Sequence, residues 1–298
     1  MPVAEGRAMA LSIGTTFRQA TAALWRRRWT IGLIALCWVA LQTALGAGRF
    51  YFGIVGLSDA TEWISTFVPG FEPTTYARIV DIVAAALGIV VGAPFAVLLI
   101  RLFFFDAPLA GEPGAAKLPG SMAAVAVFES VLTIAFAVIV SVVHFIAAPL
   151  VGSAWAPVYF AIWLTAVWVG SRFCLVYATA ALGDGWQGMR SWRATSGHAV
   201  RLSVLFGVVL AVEAGVGQLA EAGIAVLFEA YRSVLLLSAT NLRLTIVLIA
   251  FPASLVRIVF DMLLLALVAA IHARLSDRPA AGIPGAPRSA GQTAEVFD

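Results

Sequence analysis

Residues 79–104 read IVDIVAAALGIVVGAPFAVLLIRLFF, and between Asp81 and Arg101 no side chain ionises. A helix needs ~20 mainly apolar residues to cross a bilayer, because its backbone groups must be satisfied within the segment once water is gone. This stretch meets that length, and five others match it, near residues 30–50, 122–148, 155–181, 200–228 and 244–272. The expected fold is all-α: a polytopic membrane helix bundle of six transmembrane helices with an N-terminal interfacial helix.

Composition agrees. Of the 298 residues, 61% are hydrophobic and 12% charged, with a mean hydropathy of +0.96. Soluble domains spend about a quarter of their residues on Asp, Glu, Lys and Arg, so lipid is the implied solvent. The stretches between apolar runs are too short to bury cores of their own. The division expected is a cytoplasmic segment over 1–29, a six-span membrane domain over 30–274 and a disordered cytoplasmic tail, rich in Pro, Ala and Gly, over 275–298.

The chain is basic, with a net charge of +3 and a pI near 9.2, but its cations flank apolar runs instead of lining one face, which argues against a nucleic-acid partner. With the N-terminus inside, thirteen of the 19 lysines and arginines fall on the cytoplasmic side. Four (Arg49, Arg78, Arg232 and Arg243) fall outside, and Arg172 and Arg257 lie within spans. That asymmetry sets both termini in the cytoplasm. Arg26, Arg27 and Arg28 before the first apolar run imitate a secretory signal, yet the region before them is long and five spans follow, so the run reads as a retained anchor.

Ahead of that anchor, Ile13, Phe17, Ala20 and Leu24 recur at helical spacing opposite Thr15, Arg18 and Gln19. This predicts an amphipathic helix on the cytoplasmic interface, though the same periodicity fits an extension of the first span. Residues 51–78 read as an outside loop whose aromatics, among them Trp63, Phe67 and Tyr76, anchor the headgroup region, with a binding lid as the alternative. Residues 106–121, with three prolines and three glycines, read as a turn.

Ionisable groups inside spans are costly and usually face the bundle interior. Here they are Glu129, Arg172, Glu213, Arg257 and Asp261. Counted from the cytoplasmic helix ends at 1.5 Å per residue, Glu129 lies ~10 Å deep, Arg172, Asp261 and Glu213 ~15 to 18 Å, and Arg257 ~6 Å beyond Asp261. Arg257 and Asp261 are four apart on one face and within pairing reach. Arg172 is then expected to serve Glu129 or Glu213, leaving one acid over. Such a polar cluster is either an ion-pair network that fixes packing or a proton or ion relay.

Gly88 and Gly92 give a G-x-x-x-G spacing that predicts a close helix contact. Pro94 and Pro252 do not occupy corresponding positions of an inverted repeat. No zincin, Walker or paired-cysteine motif occurs, and His144, His198 and His272 are scattered, so neither a metal centre nor a cofactor is expected. Cys37 and Cys174 sit in apolar runs as packing residues.

From Arg172 the chain runs RFCL, then after Ala178–Leu182 it reads GWQGMRSWRATSGH over 185–198, with Arg201 shortly after. Trp186, Arg190, Trp192, Arg193 and Arg201 suit a short elbow at headgroup level, its indoles in the interface and its guanidiniums on anionic lipid phosphates, with Gly197 as the helix stop. This segment resembles bacterial six-span membrane proteins related to the membrane domain of glycerophosphoryl diester phosphodiesterases. The resemblance covers about a tenth of the chain. It implies a bacterial inner-membrane location and six spans, but no hydrolase, since hydrolysis in multidomain relatives belongs to a soluble barrel for which this chain has no room.

The function expected is therefore not enzymatic. It is a scaffold or accessory to a membrane process, with the alternative of a small transporter or permease component using the charged cluster. Partners are the bilayer, anionic headgroups on the cytoplasmic side, and a homo- or hetero-oligomer formed through membrane helices.

Overall fold

The computed structural model describes residues 12–67, 73–105, 118–151, 155–235 and 239–275. These form α1 (Ile13–Arg26), α2 (Arg28–Phe67), α3 (Pro73–Phe104), α4 (Leu118–Val151), α5 (Trp155–Leu182), α6 (Gly188–Ala194), a single 3-10 turn (Ser196–His198), α7 (Ala199–Leu235) and α8 (Ala239–Leu275). Six of the helices are long and apolar enough to cross a membrane: α2, α3, α4, α5, α7 and α8. The protein is an all-α, multi-pass membrane bundle. The predicted tail and the first eleven residues lie outside the described residues.

Helix starts follow from the sequence. Pro73 opens α3 and Pro119 sits in the first turn of α4, where a missing N–H costs nothing and φ is already helical. Most of the 51–78 region, expected to be a loop, is helix: α2 continues to Phe67 and α3 begins at Pro73, with residues 68–72 outside the described residues. At 40 residues α2 is about 60 Å long at 1.5 Å per residue, twice the hydrocarbon core, so its far end stands clear of the lipid.

The spans alternate in direction, and neighbours in the ring run α2, α3, α4, α5, α7, α8 and back to α2. One end of the bundle carries the N-termini of α2, α4 and α7 and the C-termini of α3, α5 and α8. There α3, α5 and α8 also meet one another across the middle. Ala96, Ala178, Ala181, Ala266, Ala269 and Ala270 are all buried there, and such short side chains let three backbones approach closely. Leu99, Ile100, Phe103, Leu267 and Ile271 fill the rest without exposure. This is the closed end.

Arginine completes it. Arg101, read from sequence as a flanking cation, is 2% exposed, and its Nε donates to the Ala181 carbonyl at 3.1 Å. Ala181 belongs to the last turn of α5, whose carbonyls lack intrahelical donors and carry the negative end of the helix dipole. Arg27 does the same for α3, donating from Nη1 to the Phe105 carbonyl at 3.0 Å. Arg274 on α8 donates from Nε to Gln19 Oε1 on α1 at 2.8 Å.

α1 is a helix of its own, separated from α2 at Arg27 and packed chiefly on α8. Its buried face is Thr16, Ala20 and Ala23. Phe17, placed on the apolar face by periodicity, is exposed, as are Trp25 and Trp29, which flank the Arg28 guanidinium at 5.1 and 5.9 Å. Small residues dock α1, and its large aromatics Phe17 and Trp25 are left exposed.

The chain leaves α5 through Gly183 at φ 83°, with Asp184 N donating to Thr179 O and Gly183 N to Ala180 O. This paired closure is what a left-handed glycine after a helix provides. Gly197, expected to be a helix stop, lies in the 3-10 turn without a left-handed φ; α6 ends at Ala194 and the chain runs almost directly into α7.

Candidate functional site

Away from the closed end the spans separate around a central cavity of about 490 Å³, lined from all six of them. Its floor is the upper surface of the alanine-rich plug, at Ala96, Cys174, Leu265 and Val268. Most of the wall is apolar and much of it aromatic. On the α2–α3 side the Trp38 indole lies against Gly92, where an added Cβ would meet it at an ordinary 3.7 Å, and that indole stacks on Phe95 at 5.6 Å. Gln42 reaches across to the Gly88 carbonyl at 3.3 Å. The G-x-x-x-G pair thus shapes the chamber wall as well as the helix contact.

Three of the five intramembrane charges predicted to cluster line this chamber: Glu129 from α4, Arg257 and Asp261 from α8. Arg257 Nε stands 3.8 Å from Asp261 Oδ2, the four-residue pairing expected. Glu129 Oε2 accepts a hydrogen bond from the Tyr177 hydroxyl at 3.1 Å. Tyr177 was not among the candidate residues; the signal available was a hydroxyl inside an apolar run, which periodicity cannot aim. Glu213 is half-buried on α7, one turn beyond the lining residue Leu210, and within electrostatic reach of Asp261 and Arg257.

Arg172 does not join them. It is 5% exposed and turned to the elbow, its guanidinium 4.3 Å from the centre of the Trp192 ring. Two of its nitrogens have no hydrogen-bond partner among the described residues, so the ring face is its main electrostatic partner. Depth along α5 placed it among the acids, but rotation about the helix axis points it elsewhere.

The elbow is held by the same residue. Ser191 on α6 donates to the Arg172 carbonyl at 2.7 Å, and Thr195 at the helix's C-cap places its hydroxyl 3.2 Å from the same carbonyl, its single proton shared with Ser191 O at 2.8 Å. Gly188 lies against Phe173, and Trp192 meets Trp168 and Phe173 ring to ring. Trp192, predicted to face lipid, is therefore an inward-facing clamp. Trp186, Arg190, Arg193 and Arg201 remain on the outer surface, Trp186 also donating from its indole N–H to the Ala124 carbonyl at 3.2 Å.

Among the described residues no group of three or more His, Cys, Asp or Glu side chains is placed to hold a metal ion. His144 falls outside the described side chains, and His272 packs edge-on against Phe104 in the plug.

No family model, no curated protein and no solved structure matches this chain.

Proposed function

We propose that this is a solute-handling membrane protein, a small transporter or permease component, whose six spans enclose a chamber closed at one end. The observation that carries the reading is the central cavity with three acids and one arginine at or near it. A charge at the centre of a bilayer costs ~2.5 to 3.5 kcal/mol even on the lenient insertion scale. The Arg257–Asp261 pair offsets two such costs, whereas among the described residues Glu129 and Glu213 make no ion pair of their own and feel Arg257 only at a distance. A scaffold would be expected to pair its membrane charges completely, so the surplus of acids favours a chamber that meets water or solute.

We read the closed end as cytoplasmic, because Arg26, Arg27, Arg28, Arg101, Arg190, Arg193, Arg201 and Arg274 gather there. The elbow and α1 then lie at the cytoplasmic headgroups, and in keeping with the resemblance of residues 172–201 the membrane is a bacterial inner membrane. The chemistry is binding and passage, with no covalent step.

Hydration of the chamber tests this. Acrylodan on Leu132→Cys, in a protein lacking Cys37 and Cys174, is expected to emit at long wavelength, as in a water-filled site. Adding Gly170→Leu, whose side chain enters the chamber from a position where a Cβ meets nothing, is expected to shift the emission to the blue. Blue emission from the single-label protein would signify a dry core and return the scaffold reading to the front.

A further inference from the structure

We infer that the chamber selects a lipophilic organic cation, such as an aryl or alkyl quaternary ammonium or phosphonium ion, over an anion of the same size. The inference rests on the solute-handling reading and names the class of solute.

Size and surface come first. A cavity of about 490 Å³ lies in the range of ~300 to 1,000 Å³ that takes a small organic molecule and exceeds the needs of a bare ion. Its wall would leave a strongly hydrated solute unsatisfied. Trp38, Phe128, Phe136, Trp163, Phe173 and Tyr177 all line it. Aromatic faces are negative at the centre of the ring and attract a cation that has shed its water. The Trp38 indole is 5% exposed, and its Nε1 has no hydrogen-bond partner among the described residues.

Charge comes second. Among the described residues the cation lining the chamber is Arg257, which lies 3.8 Å from Asp261, and its side chain is the more exposed of the two. Glu129 is held, among the described residues, through the Tyr177 hydroxyl, which donates to it. An entering cation therefore finds one carboxylate without an arginine and a second whose arginine can swing away. An entering anion finds a single arginine and two acids opposing it. Arg172, the other intramembrane arginine, cannot help an anion because it is stacked on Trp192 outside the lining.

The two ions tetraphenylphosphonium and tetraphenylborate share a shape and differ in sign. Their binding to the full-length protein in nanodiscs, measured by equilibrium dialysis against empty nanodiscs, tests the inference. Saturable binding is expected for the phosphonium and not for the borate. Asp261→Asn and Glu129→Gln are each expected to weaken it by roughly tenfold or more, and Arg257→Gln to tighten it several-fold by freeing Asp261. Gly170→Leu is expected to remove it, with circular dichroism and size-exclusion behaviour unchanged.

Equal or tighter binding of the borate, or phosphonium binding indifferent to both carboxylate changes, would overturn the cation inference and leave the chamber standing. Phosphonium binding that survives Gly170→Leu would place the site elsewhere and overturn it as well. Saturable binding of neither ion would overturn the inference, and long-wavelength acrylodan emission would then show whether the hydrated chamber survives it.

Discussion

Arg101→Ala is expected to destabilise the bundle by roughly 3 kcal/mol or more, read as a lower midpoint in thermal or denaturant unfolding of the detergent-solubilised protein. Two effects add. The Ala181 carbonyl, in the last turn of α5, loses the donor that satisfies it in a place water does not reach. The space left lies in a fully packed part of the bundle, where Leu99, Ile100 and Phe103 of the same helix are wholly buried, so the surroundings have little freedom to collapse into it. The contrasting variant is Arg49→Ala. Arg49 and Asp81 make a shorter contact, 2.7 Å, but both are more than half exposed, and exposed pairs contribute only about 0 to 1 kcal/mol. Equal losses from the two variants would show that Arg101 is not a structural cap.

Trp192→Ala is expected to be comparably severe, about 3 to 5 kcal/mol by the usual cost of truncating a packed tryptophan. The ring contacts Trp168 and Phe173 and covers the Arg172 guanidinium. A desolvated cation over an indole is favourable by about 2 kcal/mol, and no other partner is present for two of the guanidinium nitrogens among the described residues. Because Ser191 and Thr195 hold α6 to the same turn of α5, loosening Trp192 should also raise proteolysis around residues 183–188. Combining Trp192→Ala with Arg172→Leu should cost about 1 to 2 kcal/mol less than the two separate losses together, a coupling read by a double-mutant cycle. Strict additivity would mean that the two side chains do not depend on each other, and would revive Arg172 as a partner for the chamber acids.

Those two residues mark where sequence reasoning reached its limit. Length and hydropathy are properties of a segment, so the six spans were legible, and the ion pair of Arg257 with Asp261 followed from helical spacing alone. The depth of Arg172 was also legible. Its direction was not, because 100° of rotation about α5 separates the chamber from the elbow and only packing against Trp192 decides between them. Arg101 was hidden differently: an arginine at the end of an apolar run has the same appearance whether it reaches headgroups or caps a neighbouring helix. The clamp made by Ser191 and Thr195 on the Arg172 carbonyl joins residues 19 and 23 apart, and nothing in the local pattern reports a backbone acceptor that distant. The aromatic wall was invisible for a related reason, since tryptophan and phenylalanine facing lipid or a cavity have the same hydropathy. Helical continuation of α2 to Phe67 was missed because polar residues along 51–67 imitate a loop, although a helix that has left the lipid tolerates them.

The claim on which the rest depends is a chamber reached from one side only. It is tested by placing a single cysteine at Gly170, in the chamber, or at Leu99, in the plug, in a Cys37- and Cys174-free protein. A membrane-impermeant thiol reagent is then applied from either face of sealed vesicles. Labelling of Gly170→Cys from the face opposite the arginine-rich end, with none from the arginine-rich face and none at Leu99→Cys from either, is the predicted result. Labelling of Gly170→Cys from the arginine-rich face, or from neither face in a folded protein, would contradict it.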